Sequence, residues 1–283
     1  MKYGKMTNSR NIDQKVVDDF GKEWERFDQS SGLSDYEKKQ HFEDYFSIFP
    51  WSKINSDSIG FDAGCGSGRW ASLIAPRVGH LHCIDPSSAI EVAKMNLRRF
   101  SNCSFHKCAI DEMKFSDLSM DFGYSLGVLH HMPDPLEGMR DCVKKLKKGA
   151  PFLIYLYYAM DNQPIWYRYI WKITDVIRRC ISILPSGPKI IITNLIAGLI
   201  YYPLSKLALV IEGLGFAIHS WPLSNYRDKS FYTMRTDALD RFGTRLEHRF
   251  TKREIIELME SSGLIDIKVS DSVPFYCAVG IKK

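Results

Sequence analysis

The chain has 283 residues, of which 45% are hydrophobic and 25% are charged, and it carries a formal net charge of +5. This composition fits one globular domain with an added lobe and provides ample material for a hydrophobic core. The one dense basic cluster, at residues 144–148, is typical of a solvated helix end and is too small to predict nucleic-acid binding.

Seven cysteines are scattered along the chain without a Cys-x-x-Cys pair. This pattern predicts reduced, mostly buried thiols in a cytoplasmic protein and argues against a disulfide framework or a zinc site. The acids and histidines lack convergent ligand spacing, so no metal is predicted. The first residues, Met1 to Asp19, are polar and lack the apolar core of a signal peptide.

Two helices are predicted in the N-terminal segment. In the first, Phe20, Trp24 and Phe27 share one face, which indicates a helix that caps the core. The second begins at Ser34, where Ser34 and Glu37 have the spacing of a capping box.

The segment from Ser58 to Trp70 predicts a strand, a tight turn and the start of a helix. Its apolar run ends in Asp62, and glycines then occupy alternate positions at Gly64, Gly66 and Gly68. Glycines allow positive φ angles and bring bare backbone N–H groups close to a ligand at a helix N-terminus. The segment therefore predicts a binding site for a small polar molecule.

A dinucleotide fingerprint needs glycine at the sixth position of this motif, where the chain has Arg69, so a nicotinamide enzyme is disfavoured. The run from Asp62 to Gly68 instead resembles the first motif of the class I S-adenosylmethionine-dependent methyltransferases. The resemblance implies S-adenosylmethionine as cofactor, with S-adenosylhomocysteine as product. It also implies that Asp62, the three glycines and Trp70 help to hold the cofactor, and that the first N-terminal helix is a lid over it.

Two further strands are expected to supply cofactor contacts. The second strand ends at Asp85, whose carboxylate can accept hydrogen bonds from ribose hydroxyls. The third, Cys103 to Cys108, leads into Ala109, where comparable methyltransferases often carry an aspartate that meets the adenine amino group. Backbone groups of Ala109 and Ile110, or the side chain of Asp111, are the expected replacements.

The fourth strand begins at Asp121, and the residues from Leu126 to His131 at its carboxyl end are predicted to line the transfer site. Leu126 itself is assigned to the cofactor. Asp134 and Glu137 then predict the N-terminus of a helix that runs to Lys148.

A continuous apolar run, Phe152 to Tyr157, predicts a fifth strand covered on both faces. A helix from Thr251 and two strands follow near the end of the chain, and the resemblance implies that the seventh strand is antiparallel. The predicted fold is α/β: a doubly wound, Rossmann-like seven-stranded sheet with a helical insertion after the fifth strand. The chain is predicted to have four parts: an N-terminal helical cap or lid (residues 1–57), a cofactor-binding core (58–158), a helical insertion (159–250) and a C-terminal segment that completes the core (251–283).

The insertion opens with apolar helical material broken by prolines. Its most apolar run, Ile190 to Leu204, is shorter than the roughly 20 residues that a bilayer span needs. A buried helical lobe is preferred, an interfacial lipid-gripping surface comes second, and a membrane span is the third interpretation.

The last part of the insertion, Ser224 to Arg249, is crowded with arginine, tyrosine and acidic residues. Paired charges at a domain junction can be purely structural, whereas fixed arginine forks suit hydroxyl, carboxylate or phosphate recognition. Under the second interpretation, the predicted substrate-binding residues are Tyr158, Tyr226, Arg235, Arg241 and Arg245.

A histidine pair, His130 and His131, follows the fourth strand. The segment from Leu129 to Asp134 resembles that of sugar O-methyltransferases acting on glycosylated natural products. The resemblance implies that one histidine, supported by Asp161, deprotonates the sugar hydroxyl, a role that suits an imidazole. Alternatively, both histidines only shape the loop.

The sequence thus predicts a methyltransferase that acts on an oxygen atom of a sugar or another small polar acceptor. A lipid-linked acceptor is one form of this prediction. The chain also resembles uncharacterised bacterial methyltransferases of surface-polysaccharide biosynthesis. The alternatives are C- or O-methylation of a lipid quinone precursor, and a non-catalytic binding module that keeps the cofactor fold. A cytoplasmic protein is expected, and peripheral membrane contact through the insertion is left open as the alternative.

Overall fold

A computed structural model describes residues 11–26, 34–218 and 221–283, so Phe27 of the predicted first helix lies outside the described residues. The chain divides into two compact units. The first unit is made of Met1–Ser30, Lys38–Ala159 and Leu246–Lys283, and the second of Ser31–Glu37 and Met160–Arg245.

A seven-stranded sheet forms the centre of the first unit. Its strands are β1 (Ile59–Ala63), β2 (His80–Ile84), β3 (Cys103–His106), β4 (Phe122–Leu126), β5 (Pro151–Tyr155), β6 (Leu264–Val269) and β7 (Cys277–Lys282). They lie in the order β3-β2-β1-β4-β5-β7-β6. Strands β1 to β5 pair in parallel, whereas β7 is antiparallel to both β5 and β6. The predicted doubly wound α/β sheet, with its antiparallel seventh strand, is confirmed.

The α-helices of the described residues are α1 (Gln14–Arg26), α2 (Asp35–Tyr45), α3 (Ala71–Ile74), α4 (Ala89–Asn96), α5 (Pro135–Lys145), α6 (Ile165–Ser182), α7 (Ser186–Ile196), α8 (Tyr202–Gly213), α9 (Phe231–Gly243) and α10 (Lys252–Ser261). Helices α6 to α9 belong to the second unit.

Both faces of the sheet are buried, as strands of a parallel sheet require. On one face, Phe61, Phe152 and Ile154 pack with residues of α5 and α10. On the other, Tyr124 and Leu153 pack with residues of α2, α3 and α4. Because β1, β2, β4 and β5 are parallel, their carboxyl ends meet at one edge and bring the loops that follow them together.

The start of α5 agrees with its capping signal. The Asp134 carboxylate accepts hydrogen bonds from the backbone N–H groups of Leu136 and Glu137, at 3.0 and 3.1 Å. The helix ends at Lys145, before the predicted Lys148, because the next residue adopts extended backbone.

The second unit has a small apolar core of its own. Its buried members come from α6, α9 and the segment between α7 and α8, and they are Ile181, Ala197, Tyr201, Met234, Ala238 and Phe242. Glu37, in the first turn of α2, accepts hydrogen bonds from the hydroxyls of Ser230 and Thr233 at 3.3 and 2.7 Å.

The apolar run of the insertion forms a longer helix than the sequence predicts. Helices α7 and α8 are joined by a π-helical turn, Ala197–Tyr201, into one helical stretch of 28 residues, Ser186–Gly213. Proline lacks an N–H group and crowds the carbonyl four residues earlier, so Pro203 widens the helix locally instead of ending it. By length and apolar composition this stretch could cross a membrane, and it is the one such helix among the described residues.

Candidate active site

The glycine turn after β1 has a conformation that only glycine adopts at low cost. Gly64, Gly66 and Gly68 have φ angles of 84°, 52° and 79°. A Cβ atom on Gly64 would lie 2.3 Å from a methyl group of Val128, which follows β4. The N–H group of Gly64 donates to the carbonyl of Ile84, at 2.8 Å, and so anchors the turn to the end of β2.

Asp85 holds this turn from the end of β2. Its Oδ2 accepts a hydrogen bond from the N–H of Gly66 at 2.9 Å, and its Oδ1 accepts from the N–H and hydroxyl of Ser87 at 2.9 and 2.6 Å. Burial raises the pKa of the Asp85 carboxyl, and these hydrogen bonds partly oppose the rise. The Ser87 hydroxyl in turn accepts from the N–H of Ala89, so Ser87 supports the start of α4. The carboxylate is thereby oriented beside the turn, and its contact with a ribose stays a prediction.

Asp62 is a buried carboxylate in β1, just before the same turn. Its side chain is 1% exposed, and among the described residues neither carboxylate oxygen has a hydrogen-bond partner. Burial raises the pKa of this carboxyl well above its usual range, and nearby Asp85 raises it further. The neighbouring Tyr124 hydroxyl lowers it, although its geometry falls short of a hydrogen bond. A buried acid without such partners is costly unless a ligand supplies them.

The positions assigned to adenine lie after β3. Ala109 and Ile110 are buried, and the Ala109 N–H already donates to a carboxylate oxygen of Glu112, at 3.1 Å. One oxygen of Asp111 accepts from the N–H of Asn11, also at 3.1 Å. The backbone N–H of Ala109 is therefore engaged, and the remaining adenine contacts stay predictions.

Residues 11–26, which include α1, pass over the carboxyl edge of the sheet. The indole nitrogen of Trp24 lies 3.1 Å from where a Cβ atom on Gly66 would be, so this ring covers the glycine turn. Further along the edge, the ring of Phe20 lies 5.0 Å from that of His131, between centroids. The side chain of Asn11 donates to the Asp134 carbonyl at 2.7 Å and accepts from its N–H at 2.9 Å. This position is compatible with the predicted lid.

His131 is held in a defined tautomer. It belongs to a short 3-10 helix just after β4, and its Nδ1 lies 2.7 Å from the carbonyl oxygen of Leu246. A carbonyl oxygen can only accept, so Nδ1 carries the proton, and the neutral ring has its lone pair on Nε2. A histidine in this state can accept a proton at Nε2.

His130 is placed differently. Its ring is fully buried and stacks on Tyr157 with 4.0 Å between centroids, and neither ring nitrogen has a hydrogen-bond partner among the described residues. Burial lowers its pKa well below the usual range for histidine. The ring is therefore neutral and serves packing, which makes it the weaker of the two predicted bases.

A buried ion pair beside the histidines was missed at the sequence level. Arg249 pairs with Glu247 at 2.6 Å, and the Arg249 guanidinium lies 5.2 Å from the centre of the Tyr157 ring. Arg249 also donates to the carbonyl of Tyr158 at 3.1 Å, which ties this segment to the end of β5. The charge-rich run from Ser224 to Arg249 was the available signal, but it did not indicate which of its charges lie here.

The predicted substrate residues are divided between the units. Tyr158 lies in the first unit, where its ring contacts those of Phe275 and Tyr276. The others are in the second unit, together with Asp161, which is exposed. Their roles stay predictions.

Three of the second-unit residues have partners inside that unit. The Tyr226 hydroxyl donates to Asp237 at 2.9 Å. Arg235 donates to Asn194, and Arg241 donates to Thr174, both at 3.0 Å. Arg245 is exposed. These contacts are consistent with the structural interpretation of the charge-rich run, which the sequence left open. No group of three or more His, Cys, Asp or Glu residues suited to a metal ion occurs in 11–26, 34–218 and 221–283.

Comparison with known proteins gives one family match. Residues 61–154 match the methyltransferase domain family, over β1 to β5 and the glycine turn. No curated protein matches the sequence.

Solved structures share the fold at low sequence identity. A SAM-dependent methyltransferase from Thermotoga maritima is 13% identical, with 95% of this chain and 99% of that chain covered and a TM-score of 0.51. A chain from the complex of the Haloferax volcanii Trm112 methyltransferase activator is 14% identical, with 93% and 97% covered and a TM-score of 0.52. A Bordetella parapertussis protein is 13% identical, with 92% and 78% covered and a TM-score of 0.52.

Proposed function

We propose that this chain, which carries a class I S-adenosylmethionine-dependent methyltransferase domain, methylates a hydroxyl oxygen of a sugar or another small polar acceptor. S-adenosylmethionine is the cofactor and supplies the methyl group. The observation that carries the choice of oxygen is the hydrogen bond from His131 Nδ1 to the Leu246 carbonyl, at 2.7 Å. It orients a neutral imidazole whose Nε2 can take the proton that a hydroxyl loses on methylation.

The residues around the glycine turn fit this cofactor. The carboxylate of Asp62, which has no hydrogen-bond partner among the described residues, would pair with the ammonium of the methionine part. Asp85, already oriented by Gly66 and Ser87, has lone pairs left for ribose hydroxyls. Trp24 would help to exclude water from above the turn, because its indole covers Gly66. We assign Trp70, Ile110, Asp111 and Leu126 to the same site.

His131 acts as the base in this proposal. Its Nδ1–H stays hydrogen-bonded to the Leu246 carbonyl, so the ring can neither flip nor present its other nitrogen without losing that bond. When Nε2 takes the hydroxyl proton, the resulting imidazolium still donates from Nδ1 to the Leu246 carbonyl, which is its hydrogen-bond acceptor. Such an acceptor stabilises the charged ring. Asp161 and His130 are retained as the supporting acid and the weaker candidate base.

A sugar or lipid-linked glycan of surface-polysaccharide type is the preferred acceptor. The choice rests on the resemblance of the chain to methyltransferases of surface-polysaccharide biosynthesis. We assign the contacts with its hydroxyls to Tyr226, Arg235, Arg241 and Arg245, of which the first three would exchange their partners inside the second unit for the acceptor. Methylation of a lipid quinone precursor is the second candidate, and the exposed apolar side chains of α6 to α8 favour it. A cytoplasmic or membrane-associated location follows from either acceptor.

Transfer of labelled methyl from S-adenosylmethionine to a panel of acceptors tests the proposal. The panel holds nucleotide sugars, polyprenyl-linked sugars and prenylated phenols, and NMR of the product identifies the methylated atom. An O-methyl sugar whose formation is lost with His131→Ala supports the proposal. A methylated ring carbon of a prenylated phenol would select the quinone alternative. Binding of S-adenosylhomocysteine without transfer to any acceptor would favour a non-catalytic module.

A further inference from the structure

Helix α6 is amphipathic, but it is oriented with its apolar side outward. The side that packs inside the second unit is largely polar: Arg178 is 7% exposed and pairs with Asp175 at 2.8 Å, and Thr174 accepts a hydrogen bond from Arg241. On the opposite side, Ile173 and Val176 are 64% and 63% exposed. The exposed apolar residues recur at helical spacing, and they are Ile165, Trp166, Tyr169, Ile170, Ile173, Val176 and Ile177.

The stretch formed by α7 and α8 repeats this arrangement. Its buried positions recur every three or four residues and are mostly small or polar, and they are Lys189, Thr193, Ala197, Tyr201, Ser205 and Ala208. Large apolar side chains lie outward, with Leu199 72% and Ile191 62% exposed. Of the most apolar window of this stretch, 22% is buried.

A lobe that faces water on all sides would be expected to bury its large apolar residues and expose its polar ones, because apolar burial is the main favourable term in folding. Small and polar residues between helices, with large apolar residues outside, are typical of helices whose outer side contacts lipid. Exposed apolar surface of this extent marks an interaction site. The outward side of α6 to α8 is therefore suited to an apolar partner.

The charge of the second unit indicates which kind of apolar partner fits this side. Residues 160–245 contain eleven lysines and arginines and six acids, so the entire net charge of +5 resides in this part of the chain. On α6, Arg168, Lys172 and Arg179 follow one line beside the apolar side, since they are spaced by four and seven residues. Trp166 and Tyr169 lie on the apolar side itself, and such aromatic residues favour the headgroup boundary of a bilayer.

We propose that the second unit docks on the surface of an anionic bilayer through the outward sides of α6, α7 and α8. The apolar side chains enter the boundary between headgroups and acyl chains, and Arg168, Lys172 and Arg179 lie at the headgroups. The proposal goes beyond methyl transfer, since it does not depend on which acceptor is used.

Co-sedimentation of the full chain with vesicles tests this docking. Vesicles of equal parts phosphatidylglycerol and phosphatidylcholine should bind the chain at least about tenfold more tightly than pure phosphatidylcholine, and salt should weaken the binding. The double variant Ile173→Glu/Val176→Glu should reduce binding at least about tenfold, because it places charges in the apolar side. Lys172→Glu should reduce binding to the anionic vesicles alone.

The matched control is Met95→Glu, which alters a residue of the first unit that is 63% exposed. It should leave vesicle binding unchanged, and every variant should keep the wild-type unfolding midpoint and S-adenosylhomocysteine affinity. Those two measurements separate a failure of docking from a failure of the proposed enzyme function.

Three results would overturn the proposal. The first is an absence of sedimentation with anionic vesicles, or equal sedimentation of the double variant. The second is a stable dimer in light scattering without lipid that the double variant converts to monomers, because a second copy would then cover the apolar side. The third is retention in cell membranes after alkaline carbonate extraction, which would indicate a span through Ser186–Gly213 instead of surface docking.

Discussion

The Nδ1 atom of His131 lies 2.7 Å from the carbonyl oxygen of Leu246, a residue that follows it by 115 positions. This contact decides which ring nitrogen can accept a proton. Because a carbonyl cannot donate, Nδ1 is protonated and Nε2 is the basic atom in the neutral ring. The two adjacent histidines therefore have different predicted roles, although the sequence treats them almost alike.

His131→Ala should lower kcat for methyl transfer by about 10² to 10⁴, the usual contribution of a general base. S-adenosylhomocysteine affinity should stay within about twofold, since the glycine turn and Asp85 are untouched. His130→Leu is the competing variant, because it removes the weaker candidate base but keeps a buried apolar contact with Tyr157. A kcat for His131→Ala within tenfold of wild type would contradict the assignment.

Asp62→Asn should weaken cofactor binding while stabilising the ligand-free protein. Burial raises the pKa of Asp62, so the folded state binds its proton more tightly than the unfolded state does. Asp62 therefore does not lower the free energy of unfolding at low pH. As pH rises from the unfolded-state pKa through the folded-state pKa, the free energy of unfolding falls by about 1.4 kcal/mol per pH unit. We expect the variant to gain roughly 1 to 3 kcal/mol in free energy of unfolding at pH 8 and little at pH 4.

Urea unfolding across this pH range checks the prediction, together with calorimetric titration with S-adenosylhomocysteine. Asp117→Asn is the control with opposite sign, because hydrogen bonding to Lys145 lowers the pKa of Asp117. A gain for Asp117→Asn at high pH, or unchanged cofactor affinity in Asp62→Asn, would count against the argument.

Gly64→Ala should lower the free energy of unfolding by more than the conformational cost of a positive φ angle alone. Gly64 and Gly149 have φ angles of 84° and 80°, but only at Gly64 would a new Cβ atom meet a neighbour, Val128 at 2.3 Å. We expect a loss of about 1 to 2 kcal/mol for Gly149→Ala, and about 1 to 3 kcal/mol more for Gly64→Ala. Adding Val128→Ala to Gly64→Ala should recover part of the difference in denaturant unfolding. Equal losses for the two glycines would show that the predicted clash is relieved elsewhere.

Trp24→Ala should speed the dissociation of bound S-adenosylhomocysteine by about tenfold, because its indole covers Gly66. Stopped-flow fluorescence of a displaced analogue measures this rate. Hydrogen exchange of α1 should slow on ligand binding in the wild type and less so in the variant. Trp166→Ala, in the second unit, is the control and should leave both readouts unchanged. The lid assignment fails if Trp24→Ala dissociates at the wild-type rate.

The Glu247–Arg249 pair should behave as a buried ion pair. Its side chains are 2% and 8% exposed, so Arg249→Met leaves an uncompensated buried carboxylate and should cost about 3 to 5 kcal/mol. The double variant Glu247→Gln/Arg249→Met should lose less. Arg253→Ala breaks an exposed pair with Glu257, which solvent screens, and should leave stability almost unchanged. Thermal unfolding with similar losses for Arg249→Met and Arg253→Ala would contradict this account.

Much of the first unit could be predicted from local patterns. The glycines after β1, the capping acid Asp134 and the apolar run of β5 act through the backbone within a few residues, so they indicate element type and boundary directly. Ala109 shows the limit of this reasoning: the sequence reveals that an expected acid is absent there, but not that the Ala109 N–H is engaged by Glu112.

The sequence by itself predicted the alternation of strands and helices in the first unit, the glycine turn and the pair of histidines as candidates, because each depends on spacing within one segment. Only the tertiary structure decided that Leu246 orients His131, that Trp24 covers Gly66, and that Arg249 lies beside Tyr157. These contacts join residues far apart in the chain, and no local pattern specifies them. The outward apolar sides of α6 to α8 have the same origin: periodicity shows that a helix has two sides, whereas its packing partners decide which side is buried.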